Sequence, residues 1–318
     1  MTQQVMIDTR PAPSRAADRT LYLLGLAALL AAPFFVYPLF LAKVLCYCLF
    51  ACAFNLLLGS VGLLSFGHAA FFGGAAYVTG HALKEWGLPF EFAAILGTAA
   101  ATFLGFVFGY VSIRRQGLYF AMITLALAQM IYFLAFQLPF THAEDGLTAI
   151  PRGKVLGLFD LNNLYVLYYT AAAVFLIGYV LIMRITHSTF GQILKAIREN
   201  QPRMISLGYR VNNYKLVAFV LSAGLAGLAG ATKTMVVQLA STVDVHWATS
   251  GDVILMALLG GVGTLFGPVV GGVIVEMLQF YLADSGLPIQ MVIGAIFVVC
   301  ILVFRRGIVG EIQRLLGR

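Results

Sequence analysis

The residues with most capacity for chemistry are the few polar groups set inside long apolar runs. Glu276 is central in one run and Lys233 sits off-centre in another. A charge at the centre of a bilayer costs about 2.5–3.5 kcal/mol even on the lenient insertion scale, so each needs a specific role or partner. Either can serve as an ion-pair partner, a substrate contact or a proton carrier, and they can also pair with each other. Asn55, Thr124, Gln129, Gln137, Ser222 and Gln238 are neutral members of the same class, for which interhelical hydrogen bonding is the plain reading. His68 stands with Ser60 and Ser65 in a glycine-rich stretch. No second His, Cys or carboxylate lies at helical ligand spacing beside it, so no metal site is expected. Cys46, Cys48, Cys52 and Cys300 include no C-x-x-C pair and read as buried apolar side chains. Residues 227–234, GLAGATKT, approach the phosphate-binding pattern G-x-x-x-x-G-K-[ST]. Thr232 replaces the second glycine and no strand precedes it, so nucleotide binding is not expected there. No paired carboxylates or nucleophilic triad suggest an enzyme, and no cofactor is expected in this chain.

The elements that must position these groups follow from composition. Of 318 residues, 61% are hydrophobic and 10% charged, too little charge to cover a soluble surface. Repeated runs of about 20 apolar residues point to membrane-crossing helices. The fold class expected is therefore all-α, a polytopic membrane bundle of 8–10 segments. Candidate spans are 21–41, 44–58, 60–82, 92–112, 118–138, 165–184, 216–240, 252–264, 266–283 and 289–304, several short enough to be half-helices or re-entrant pieces. They form one membrane domain over 21–304, between a polar tail at 1–20 and a basic tail at 305–318. A cleaved signal peptide is the rival reading of the first run, which continues through Pro33 to Leu41 and so favours an uncleaved span.

Ten spans place both termini, the 113–117 link and the 185–215 link on one side. Together with the bordering Arg184, they hold fifteen of the 20 Lys and Arg but only four of the 13 acids. Such an excess marks the cytoplasmic face. The basic charge is thus a topology signal, and nucleic acid is not an expected partner; membrane lipid is.

Two glycine-rich breaks interrupt the apolar runs: LLLGSVGLLSFGHAAFFGG from Leu56 and LLGGVGTLFGPVVGG from Leu258. Their shared leucine pair, G-x-V-G and Phe-Gly suggest an internal duplication. Broken helices in transporters often line the substrate path, where freed backbone groups face a cavity. Path-lining candidates are Asn55, Ser60, Gly62, Ser65, His68, Thr124, Gln129, Gly263 and Glu276. Helix packing is the alternative for Gly263, Gly267 and Gly271, which recur every four residues, as do Gly105 and Gly109.

The longest polar island is 186–215. Thr189 and Gln192 have capping-box spacing, and Ile193, Leu194 and Ile197 then share one side of a short helix. Lys195, Arg198 and Glu199 fall on the other side, Pro202 is expected to end the helix, and Gly208 to stop a second short turn. A capped amphipathic helix between spans suggests a docking surface for a cytoplasmic partner.

With that topology, residues 190–230 resemble the LivM-type permease of branched-chain amino acid ABC importers. The matching positions include Gly191, Ala196, Ile197, Arg198, Glu199, Asn200, Leu207, Gly208, Lys215 and Gly227–Gly230, and further matches lie at 55–77, 117–130, 145–152 and 255–272. The resemblance implies a homologous LivH-type permease partner, two cytoplasmic ABC ATPases that hold ATP and Mg, and a periplasmic substrate-binding protein. It also implies a bacterial inner-membrane location and a coupling role for Gly191, Ala196, Ile197, Arg198, Glu199, Asn200 and Gly208. Gln201-Pro202-Arg203-Met204, the run with Lys233, and residues 243–247 depart from the family's commoner residues and leave the substrate open. A urea or short-amide importer is the same-class alternative. An ion-coupled secondary carrier using Glu276 and Lys233 is the alternative of a different class.

Overall fold

Pro38 opens the helix around which the others assemble. In the computed structural model, which describes residues 25–141, 145–155, 157, 159–283, 289–303 and 307–315, α2 runs Pro38–Val61. Proline suits a first turn because its missing N–H has no intrahelical acceptor there. Gly62 ends the helix with φ 77°, a left-handed conformation that a glycine adopts without strain. α2 is apolar and mostly buried, the pattern of a central helix. The division expected between 21–41 and 44–58 does not occur, because Lys43 lies inside α2. Among the described residues, the apolar helix α1 (Gly25–Phe34) precedes it. The 1–20 tail lies outside the described residues.

Four further helices are long and apolar enough to cross a membrane: α4 (Phe90–Ser112), α5 (Leu118–Gln137), α6 (Leu164–His187) and α9 (Val211–Val237). α3 (His68–Lys84), α11 (Trp247–Gly260), α12 (Gly267–Leu282) and α13 (Ile289–Val303) are shorter. Among the described residues, five helices therefore have full crossing length, and shorter apolar helices accompany them, as the short candidate spans led one to expect. Between α6 and α9 lie α7 (Thr189–Glu199) and α8 (Gln201–Ser206). α10 (Thr242–Val245) precedes α11, and α14 (Gly307–Leu315) follows α13.

α2 touches α6, α9, α11 and α12, while α9 also packs on α3 and α4. α2 and α12 are antiparallel: Phe40 packs at a tilt against Phe280, ring centroids 4.6 Å apart, and Cys48 lies against Val269 and Gly272. The glycine spacing on α4 does what it predicted. Gly105 meets Ala223 and Gly109 meets Leu216 and Phe219, with no room for a methyl at either.

The end of the bundle remote from α7 is closed by loop structure. A two-residue antiparallel pair, β1 (Lys154–Val155) with β2 (Phe159–Asp160), sits in the 145–163 segment. Leu147 and Ala240 exchange backbone hydrogen bonds of 2.9 and 3.0 Å. Arg152 Nη2 donates to Val236 O at 2.9 Å, and Gln238 Nε2 donates to Ile150 O at 3.0 Å. Gln238, expected inside a span, is the C-cap of α9.

Candidate functional site

At the end of the bundle that carries α7, the second glycine-rich break packs against the last turn of α2, which leads into the first. Each break is a six-residue non-helical segment, 62–67 after α2 and 261–266 after α11, followed by a new helix at Phe-Gly. A Cβ added to Gly59 would lie 2.9 Å from Gly263 Cα, so both strands of contact are bare backbone. Gly263 itself has φ 84°.

Asn55, on α2, fastens the second break to that helix. Its amide nitrogen donates to Thr264 O at 2.9 Å and its oxygen accepts from Gly263 N at 3.0 Å. A helix that begins inside the protein also leaves N–H groups without intrahelical acceptors. At α3 these are met by side chains. Thr124 Oγ1 accepts from Phe66 N at 3.2 Å, Ser65 Oγ from Gly67 N at 3.1 Å, and Ser250 Oγ from Ala69 N at 2.8 Å. At α12 the same task falls to Thr264, whose hydroxyl accepts from Gly267 N at 3.0 Å. Asn55, Ser65 and Thr124 are thus placed as braces of the breaks.

His68 is packed rather than presented. Ser222 Oγ donates to Ala53 O at 2.6 Å, which uses its only hydrogen. The 2.8 Å contact between His68 Nε2 and Ser222 Oγ therefore assigns the ring proton to Nε2. Phe54, Phe71 and Phe219 surround the ring edge-on. Ser60 is buried and lines a cavity of about 20 Å³ with Asn55, Thr186 and Gly263, room for about one water. Gln129 is half-buried on α5, five positions beyond Thr124.

Glu276 does not join this group. It lies nine residues into α12, about 14 Å from that helix's start, and forms an ion pair of 3.1 Å with Lys43. Lys233 pairs instead with Asp244 at 2.6 Å, both side chains buried. The two intramembrane charges thus belong to separate pairs. Asp244 also accepts from Ser241 N at 3.0 Å, completing a capping box on α10. The 227–234 segment lies wholly within continuous helix α9, which leaves no loop for a phosphate. Among the described residues, no group of three or more His, Cys, Asp and Glu could hold a metal ion.

α7 is the amphipathic helix expected, with its start one residue earlier than the hydroxyl pattern implied. Ser188, not Thr189, is the N-cap, and its Oγ accepts from Gly191 N at 3.3 Å. Ser188 adopts the extended backbone a cap requires, while Thr189 is already helical. Leu194 and Ile197 are buried; Gln192, Lys195 and Glu199 are exposed. Pro202 does not end α7, which stops at Glu199; it sits in the first turn of α8, capped by Asn200 Oδ1. Gly208 closes α8 as expected, with Gly208 N bonded to Ile205 O and Tyr209 N to Met204 O, a Schellman stop. Ile197, Met204 and Val211 form a small core, flanked by Ile193, Ala196 and Tyr214, that holds the two short helices to α9.

Arg198 connects this unit to the breaks. Its helix position is exposed, but the side chain turns back and Nη1 donates to Gly59 O. Its stem passes the Cα of Gly62, where an added Cβ would lie 3.1 Å from Arg198 Cγ, and Nη1 lies near Gly263. One side chain of α7 therefore touches both breaks. Sequence reasoning assigned it to the exposed face, since helical period cannot foresee a partner 139 residues away.

Residues 37–303 match the family described as "Branched-chain amino acid transport system / permease component". The chain belongs to this family. This permease-family chain is 24% identical over 275 residues to the high-affinity branched-chain amino acid transport system permease protein LivM of Escherichia coli (strain K12). The match covers 79% of the chain and 65% of that relative, so the chain spans slightly less than two thirds of it. The same figures hold for LivM of Salmonella typhimurium. It is 25% identical over 282 residues to the permease protein BraD of Pseudomonas aeruginosa, covering 83% of the chain and 92% of the relative. No solved structure matches the chain.

Proposed function

We propose that the chain is the transmembrane permease subunit of an ATP-driven, binding-protein-dependent importer of branched-chain amino acids, set in a bacterial inner membrane with both termini cytoplasmic. Its partners are a homologous LivH-type permease, two cytoplasmic ABC ATPases that bind ATP and Mg, and a periplasmic substrate-binding protein. The names of the LivM and BraD relatives support the substrate class. The observation that carries the mechanism is the contact of Arg198 with Gly59 O, beside Gly62 and Gly263. α7 presents Lys195 and Glu199 outward, where an ATPase groove can seat them. Displacement of α7 then acts through Arg198 directly on two non-helical segments, the parts of the bundle least fixed by helical hydrogen bonding. Glu276 and Lys233, which the secondary-carrier reading would use together, sit in separate ion pairs with Lys43 and Asp244.

The test is uptake of leucine, isoleucine and valine by the complete complex in liposomes, with ATP inside. Glu199→Ala is expected to weaken ATPase association. Arg198→Ala is expected to preserve assembly and ATP hydrolysis while uptake falls. Normal coupled uptake in both variants, or gradient-driven uptake by the chain alone, would overturn the reading.

A further inference from the structure

A second feature lies beside Arg198. A cavity of about 590 Å³ opens at the α7 end, between α7, the end of α2, the start of α9 and the 116–117 link. Its polar lining is Arg198, Lys215, Gln116 and Gln201, and no Asp or Glu lines it. Lys215 is only 4% exposed, yet its Nζ has a neutral partner, Gln201 Oε1 at 2.7 Å. A buried ammonium with no anion beside it is an unusual arrangement, since buried charges are normally paired. Arg198 spends one of its five N–H donors on Gly59 O and keeps the others available. The remaining wall is aliphatic, with Leu58, Val61, Leu63, Ile197 and Leu258.

We propose that this cavity binds a small aliphatic monocarboxylate that lacks an ammonium group, of the 2-oxo acid class. Its carboxylate sits between Arg198 and Lys215, and its branched tail lies on the leucine and valine side chains. The ammonium of a free amino acid would meet two cations and no acid, so the oxo acid is preferred over the amino acid from which deamination forms it. The occupant bridges α7 to α9 and so restrains the side chain that touches both breaks. That last consequence rests on the proposed function and makes the site an inhibitory one, read from the side of the membrane where the carried amino acid is metabolised.

Binding is measured first, without ATP or transport, using radiolabelled 4-methyl-2-oxopentanoate and the complete complex in phosphatidylcholine nanodiscs. Saturable binding is expected, with leucine a weaker competitor. Lys215→Met should lower affinity about tenfold or more, the loss of one hydrogen bond to a charged group. Gln201→Glu supplies the missing anion within the chain and should abolish binding while leaving Lys215 better paired than before, so misfolding does not explain the loss. Lys84→Met, at the opposite end, should change nothing. Absence of saturable binding, binding unaffected by Gln201→Glu, or equal affinity for leucine would each overturn the proposal. Binding lost in phosphatidylglycerol nanodiscs would assign the cavity to a lipid phosphate and overturn it as well. Inhibition of leucine uptake by internal oxo acid is the second readout, and its failure alone would refute only the inhibitory role.

Discussion

Asn55→Ala tests whether the second break is fastened to α2 as described. The substitution removes both the bond to Thr264 O and the bond from Gly263 N, at a side chain 8% exposed. Interhelical hydrogen bonds in membrane proteins average about 0.6 kcal/mol each, so the pair sets a floor near 1 kcal/mol. Leaving the Gly263 N–H and Thr264 C=O dry would add about 1–3 kcal/mol apiece. The adjoining cavity of about 20 Å³ grows when the amide is deleted and can hold water that relieves both groups. The expected loss is therefore about 1–3 kcal/mol rather than the full sum. Unfolding in graded sodium dodecyl sulfate mixed micelles reads it. A cysteine introduced at Thr264 gives a local readout, since it should react faster with a soluble maleimide once Asn55 is alanine. Unchanged unfolding together with unchanged labelling would refute the view that Asn55 fastens the second break to α2.

Two further outcomes follow from named contacts. Lys233→Met should destabilise by about 3–5 kcal/mol by stranding Asp244, and adding Asp244→Asn should recover much of that loss in the same unfolding assay. Ser188→Ala should cost about 1 kcal/mol through the lost cap and fray the start of α7, seen as faster hydrogen exchange at Gly191 than in a Thr189→Ala control.

The class of fold was legible because a bilayer imposes long apolar runs that composition alone displays. Helix ends were less so. Lys43 looked like the border between two spans, but its ion pair with Glu276 lets it stay inside α2, and that partner is 233 positions away. Ser188 and Thr189 are adjacent hydroxyls, and only backbone conformation decides which one caps. The pairing of Lys233 had a readable signal that was missed: Ser241 and Asp244 stand at capping-box spacing just beyond the helix that carries the lysine. The duplicated glycine motif announced two breaks. The seat of the second break on α2, and the reach of Arg198 and Lys215 into one region, depend on tertiary neighbours that no local period encodes.

The bridge made by Asn55 also sets a timetable for synthesis. Its acceptor at Thr264 is 209 residues downstream. At about 5–20 residues per second, Thr264 is made roughly 10–40 s after Asn55. For that interval α2 sits in the membrane with its amide lacking its final partners, although it will become the helix on which the rest assemble. A chain that stops before α12 is released with this helix unfinished. The side-chain pairing of α2 is therefore complete only once the last third of the chain has been made.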